Sequence, residues 1–302
     1  RPMESLQIVL LFAPVGVGYL LGRFRETAPE PLADTCLYFL MPVLMFSALV
    51  RTPLTPGQSV QFVYWYFAFV LVAWALTALV SGRLGRDRPT RSALSLSMSS
   101  VNVGSYGIPV VLFAGGESAL GGIMLLFACS NVAAGSIGVY IAAGGSKRPA
   151  QALASVFKLP LIYAVLLALS VRALDLQLPP RALELGQQVG MAGPTLGLVI
   201  LGIQISRMGA RGGREFPSLL AVSIGAKLLL GPALGIGLIT LFGIQAPVRD
   251  TLLICSCLPT AINCLLLAVK YDTHPHLVGA ILVGSTFLSP LAIAATLLLF
   301  GG

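Results

Sequence analysis

Charge is what this sequence has least of. Of its 302 residues, 19 are Lys or Arg, 11 are Asp or Glu, and 2 are His. The charged share is 10%, against about 25% in an ordinary soluble domain. With 56% hydrophobic residues, a water-soluble fold would have to leave large apolar patches in water. A bilayer imposes no such penalty. No H-E-x-x-H stretch, no paired intramembrane Asp and no Ser/His set occurs, and the two histidines, His274 and His276, share one turn. The usual equipment of an intramembrane enzyme is therefore missing, and an enzyme is not expected. Cys36, Cys129, Cys255, Cys257 and Cys264 all lie in apolar runs without a C-x-x-C pair. Cys255-Ser256-Cys257 has the wrong spacing for zinc. The cysteines read as small buried apolar residues, the His274-Pro275-His276 turn as solvated, and no metal or cofactor is expected. No loop is long enough for a second soluble domain, which argues against a membrane sensor.

What the chain does have is apolar runs of about 20 residues, the length of a membrane span. Ten are predicted, at 6–22, 32–50, 60–80, 92–114, 120–142, 155–172, 185–206, 216–242, 250–269 and 277–300. Turn-like segments separate them, among them Thr52-Pro53-Leu54-Thr55-Pro56-Gly57, Gly144-Gly145-Ser146, Pro179-Pro180 and Gly212-Gly213. The first run lacks a basic leader and an A-x-A site, so it reads as a span and not a signal peptide. Arg1-Pro2 ahead of Met3 reads as an expression remnant. With Lys158 and Arg172 at the ends of span 6 counted in the adjoining loops, the loops after odd-numbered spans hold 13 Lys or Arg, against 5 for the N-terminus and the loops after even-numbered spans. That bias places the odd loops in the cytoplasm and both termini outside. It also explains the net charge of +8 without nucleic acid as a partner.

Helix breakers recur. Pro14, Pro42 and Pro109 are followed by Pro160, Pro194 and Pro259 at offsets of 146, 152 and 150. The spacing suggests two five-span halves, 1–152 and 153–302. Because five is odd, the halves are inverted, an arrangement common in secondary transporters. Span 4 carries Val101-Asn102-Val103-Gly104-Ser105-Tyr106-Gly107-Ile108-Pro109, and span 9 carries Cys257-Leu258-Pro259-Thr260-Ala261-Ile262-Asn263. These are poor helix formers at mid-membrane. Gly107, Pro109 and Pro259 are the expected break points. Unwound backbone is tolerated there only where protein, water or a ligand satisfies it. Each break also exposes a half-helix N-terminus, with roughly half a positive charge, suited to a carboxylate.

Lys227 is the only basic residue deep in a span. It costs about 2.5–3.5 kcal/mol on insertion scales and so needs a partner. It reads either as a tethered cation on the carbonyls of a broken span or as a snorkelling anchor. No Asp or Glu lies deep in spans 3, 4, 5, 8, 9 or 10, so a carboxylate-based sodium or proton site is not expected. Asp34 reads as a helix N-terminal charge, Trp65 and Trp74 as lipid or interface anchors, and Gly121, Gly122, Gly135 and Gly138 as close-packing positions.

The Asn-x-Gly-x-x-Gly-x-Pro stretch of span 4 resembles the first crossover motif of the auxin efflux carrier family, which includes plant PIN carriers and bacterial permeases proposed for malate or malonate. Leu258-Pro259-Thr260-Ala261-Ile262-Asn263, with Leu267-Ala268 and Tyr271-Asp272, resembles the second. Asn131, Gly193-Pro194 through Gly202, and Lys227-Leu228 with Pro232 also fit. The resemblance implies an all-α integral membrane protein of the fold shared with bile-acid symporters and sodium/proton antiporters. It implies ten transmembrane helices, with helices 4 and 9 broken and crossed. Spans 1, 2, 6 and 7 would form a scaffold, spans 3–5 and 8–10 a mobile transport domain. Asn102, Gly104, Ser105 and Asn131 would contact substrate, with Pro259, Thr260 and Asn263 on the other side and Met45 and Ser47 on the scaffold wall. A homodimer through the scaffold and a place in the bacterial inner membrane follow from the same resemblance. The expected function is elevator-type transport of a small organic anion such as malate, malonate or an indole carboxylate. The alternative is a sodium-coupled symporter of the bile-acid type.

Overall fold

The computed structural model describes residues 13–25, 27–52, 54–144, 160–207 and 217–300. The start of span 1 at 6–12, Pro53, the Gly145-Ser146 turn with Lys147 and Arg148, the start of span 6 at 155–159 and the Gly212-Gly213 turn lie outside them. So do Arg1, Pro2 and Met3. The described chain is helical, and among its residues the only extended pairing is an isolated bridge between Val101 and Thr260.

In chain order the helices are α1 (Ala13–Phe24), α2 (Pro29–Arg51), α3 (Pro56–Arg83), α4 (Arg88–Ser99), α5 (Val103–Gly115) and α6 (Glu117–Ala142). They continue with α7 (Pro160–Ala173), α8 (Pro180–Arg207), α9 (Pro217–Leu241), α10 (Val248–Ser256), α11 (Ile262–Tyr271) and α12 (Pro275–Phe300). Six of these, α2, α3, α6, α8, α9 and α12, are long and apolar enough to cross a membrane. The protein is a multi-pass integral membrane protein. Its surface agrees: Leu229, Leu230, Leu291 and Leu298 are all more than half exposed, which only lipid accommodates.

The chain divides into two compact units. The first comprises 1–56, 104–128 and 157–207, and so holds α1, α2, α7, α8, all of α5 but Val103, and the start of α6. Small residues bring its helices together. A Cβ on Gly18 of α1 would lie 2.0 Å from Val199 O of α8, and one on Gly202 of α8 would lie 2.0 Å from Val15 O. Without a hydrophobic drive between helices in lipid, such backbone approach is what makes packing favourable. Gly186 and Gly190 of α8 do the same beside Ser47 and Leu44 of α2. Pro42 lacks an N–H, so the ladder of α2 slips just before it. Cys36–Leu40 forms a π turn, closed by Met41 N–H donating to Cys36 O. At one end of this unit the Arg172 guanidinium donates to Leu49 O at 3.2 Å and to Leu54 O, and Arg51 donates to Gln187 Oε1 at 3.0 Å.

The second unit comprises 57–103, 129–156 and 208–302. It holds α3, α4, α9, α10, α11, α12 and the end of α6. Trp65, expected as a lipid or interface anchor, is instead wholly buried here. Gly235 on α9 leaves room for the indole, whose N–H donates to Gly235 O at 3.3 Å while its ring stacks on Phe69. Trp74 is half-buried, edge-on to Tyr140 at 5.8 Å. The five cysteines are buried and free. Asp34 is exposed in the second turn of α2. His274 Nε2 lies 3.6 Å from Asp87.

Candidate functional site

Two helix interruptions meet inside the second unit. The first follows α4. Ser100 is extended, at φ −109° and ψ 138°, and Val101 pairs with Thr260 in an antiparallel bridge. The second follows α10. Pro259 has no N–H and forces Leu258 out of the helical region, so α10 stops at Ser256 and helix resumes only at Ile262. The two extended stretches cross, and Asn102 N–H donates to Pro259 O at 2.8 Å.

A helix end leaves its last carbonyls without intrahelical partners, and in an apolar interior each bare one is costly. At the end of α4 the partners come from elsewhere. Cys264 Sγ donates to Leu96 O at 3.2 Å, and Thr260 Oγ1 to Ser97 O at 3.0 Å. Lys227 Nζ, from the middle of α9, donates to Met98 O at 3.1 Å and to Ser100 O at 2.7 Å. The Lys227 side chain is 2% exposed. Its ammonium therefore sits at the negative end of a half-helix dipole, where a cation is stabilised. Among the described residues no carboxylate pairs with it.

At the end of α10 the partners are local. Ser256 Oγ donates to Leu253 O at 2.7 Å and Cys257 Sγ donates to the same oxygen at 3.3 Å. Cys257 N–H and Leu258 N–H donate back to Ile254 O and Cys255 O. Beyond the break, Ala261 is the residue just ahead of α11, and its side chain offers no cap. Cys264 N–H donates back to Ala261 O at 3.1 Å. Ser285 of α12 holds the link in place by accepting from Thr260 N–H at 3.2 Å.

Asn102, Pro259 and Thr260 are brought together here, all buried, with Lys227 bound to Ser100 two residues before Asn102. Asn263 is half-buried in the first turn of α11, and Asn131 is buried in α6. Gly104, Ser105, Gly107, Pro109, Met45 and Ser47 belong to the first unit. There a Cβ on Gly104 would lie 2.5 Å from the Phe127 ring. Met45 is 0% exposed, and the Ser47 hydroxyl donates to Val43 O of its own helix at 2.9 Å. Sequence reasoning missed Cys264 and Ser285 as parts of the crossing. Neutral residues on apolar helices carry no signal of this role.

The crossing thus gathers a buried amide side chain, extended backbone and a buried cation bound to backbone carbonyls. A family model described as "Membrane transport protein" matches residues 149–297. A protein described as "Putative malonate transporter", from Rhizobium meliloti (strain 1021), is 23% identical over 304 residues, spanning 97% of this chain and 94% of that protein. Both descriptions are of transporters, and both agree with the resemblance carried by the two motifs.

Proposed function

We propose that this chain, a membrane transporter of the auxin-efflux-carrier type, carries a small organic anion, with a dicarboxylate such as malonate or malate as the first candidate. The observation that carries the reading is the crossing of the two interrupted helices at Asn102 and Pro259. Asn102, Asn131, Pro259, Thr260 and Asn263 form the substrate-facing set around that crossing. The uncapped start of α11 supplies partial positive charge to a carboxylate. The name of the Rhizobium meliloti protein supports a dicarboxylate.

The same reading takes the chain as ten spans in two inverted halves, with α4–α5 and α10–α11 as the broken spans. Spans 3–5 and 8–10 carry the site in an elevator-type cycle, and spans 1, 2, 6 and 7 supply the scaffold and a homodimer contact. The two compact units support this division for α1–α4 and α7–α12, while α5 and the start of α6 fall in the first unit. The Lys and Arg bias supports an inner-membrane orientation with both termini outside. Lys227 stands as the permanent cation of the transport unit, so no sodium is required. The absence of acidic residues deep in the spans of that unit supports the same conclusion.

Counterflow of labelled malonate in proteoliposomes tests the reading, with wild type set against Asn102→Ala. Saturable exchange that is lost in the variant and indifferent to sodium is expected. Exchange that requires sodium would favour the bile-acid type of symport. No exchange with any carboxylate in a panel would sink the organic-anion reading.

A further inference from the structure

A second polar cavity lies in the same unit, away from the helix crossing. It has a volume of about 340 Å³ and is lined by Arg88, Arg91, Ser92 and Ser95 of α4 together with Trp74 of α3 and Tyr140 of α6. It opens beside the first turn of α4, whose start is capped by the Asp87 side chain, so the positive charge of the cavity comes from the two arginines. The serines are the telling feature. Ser92 is 6% exposed and Ser95 is 3% exposed, both line the cavity, and neither hydroxyl has a hydrogen-bond partner among the described residues. Both hydroxyls face the basic cavity and can donate to an oxygen-rich guest.

The charges around the cavity have been assigned partners unevenly. Arg88 donates one N–H to Gly144 O, which fixes its guanidinium and leaves other donors. Asp87 is the nearby acid, but it is turned to the helix start. It accepts from Thr90 Oγ1 at 2.6 Å and from Thr90 N–H at 3.3 Å, and these bonds hold its carboxyl below the usual carboxylate range. Its remaining neighbour is His274 at 3.6 Å. The cavity therefore keeps a net positive face. Its other wall is the Trp74–Tyr140 pair, the residue types that sit at the headgroup level of a bilayer. α3, which forms part of this wall, has only 22% of its most apolar stretch buried, leaving an apolar surface that suits acyl chains.

We propose that this cavity is a binding site for the phosphodiester headgroup of an anionic phospholipid. Arg88 and Arg91 meet the phosphate oxygens, Ser92 and Ser95 donate to them, and the acyl chains run down α3 past Trp74. The site is independent of the transported substrate and of the helix crossing. A guanidinium offers two parallel donors to a phosphate, and a neutral headgroup has no net charge to match.

Purified wild type, Arg91→Gln and Arg83→Gln, in detergent, are titrated with phosphatidylglycerol or phosphatidylcholine and read by native mass spectrometry. Arg83 lies in the same basic loop region but does not line the cavity, so it controls for charge alone. Wild type and Arg83→Gln are expected to bind phosphatidylglycerol in preference to phosphatidylcholine, and Arg91→Gln about fivefold more weakly. Equal phosphatidylglycerol binding by all three overturns the proposal. Glycerol 3-phosphate or inorganic phosphate binding as tightly as the lipid also overturns it, in favour of a soluble phosphate site. Should Arg91→Gln not fold, Ser95→Val keeps every charge while removing one donor and narrowing the cavity. Unchanged lipid binding there overturns the proposal as well.

Discussion

The two helix interruptions of the second unit solve one problem in two ways. Both leave carbonyl oxygens bare inside an apolar interior. The break after α4 borrows its donors from α9, α11 and the α10–α11 link, including the Lys227 ammonium. The carbonyls at the end of α10 are met by its last residue, Ser256, and by Cys257 and Leu258 that follow it. The helix-end carbonyls of one break are thus met by tertiary partners that include a fixed positive charge, and those of the other by neighbours in its own sequence, all neutral. The difference teaches where charge is needed: only the break whose carbonyls fan out with no local donor has a lysine placed against it.

The sharpest way to break that comparison is Lys227→Met. The change relieves the cost of burying a cation but leaves Met98 O and Ser100 O without their donor. Each bare buried carbonyl costs about 1–3 kcal/mol. A net loss of about 2 kcal/mol is expected, read as a fall in melting temperature of about 5 °C in detergent, together with loss of exchange. Lys227→Gln keeps an N–H donor without the charge. It is expected to recover part of the stability and none of the transport. A Lys227→Met protein that melts like wild type would mean the carbonyls have other partners, and the contrast between the breaks would fall.

Much of this arrangement is legible in the chain, and the limits have physical causes. Pro259 announces the end of α10 because its effect is local: no N–H, and a restricted preceding residue. Lys227 announces its need for oxygen partners because a lone charge in an apolar run has no other way to be satisfied. Which oxygens it finds depends on how α9 lies against α4, and no local pattern encodes that. Trp65 is the clearest misreading. A tryptophan in a long span suits lipid equally well, and its burial is decided by Gly235, 170 residues away. Cys264 shows the same limit from the other side. It reads as a small apolar residue and is buried as one, but its thiol also reaches Leu96 O. The division of α5 and α6 between two units has no mark in composition, since hydrophobic runs look alike whichever neighbours they meet.

A smaller effect is expected from Thr260→Val. The two side chains are nearly the same shape, and Thr260 is 0% exposed, so the change isolates one hydroxyl. Ser97 O loses the donor at 3.0 Å. Ser97 Oγ is also buried and unpaired, so the loss falls where a hydrogen bond is already unmade. The expected cost is about 1–2 kcal/mol, and Thr260→Ser should restore most of it. Equal melting of Thr260→Val and wild type would show that the first break does not depend on borrowed donors one by one.

The smallest effect belongs to the second break. Ser256→Ala removes the hydroxyl on Leu253 O, but the Cys257 thiol still donates to that oxygen at 3.3 Å. The methyl group that remains keeps the contact with α9, where a Cβ on Gly235 would approach Ser256 Cβ to 2.2 Å. A change of no more than about 0.5 kcal/mol is therefore expected, below that of Thr260→Val in the same assay. The order of the two variants carries the argument, because both delete one buried hydroxyl from one helix end. If Ser256→Ala were the costlier, the α10 break would be the one short of partners. The case for a charge placed deliberately at α4 would then have to rest on substrate and not on backbone.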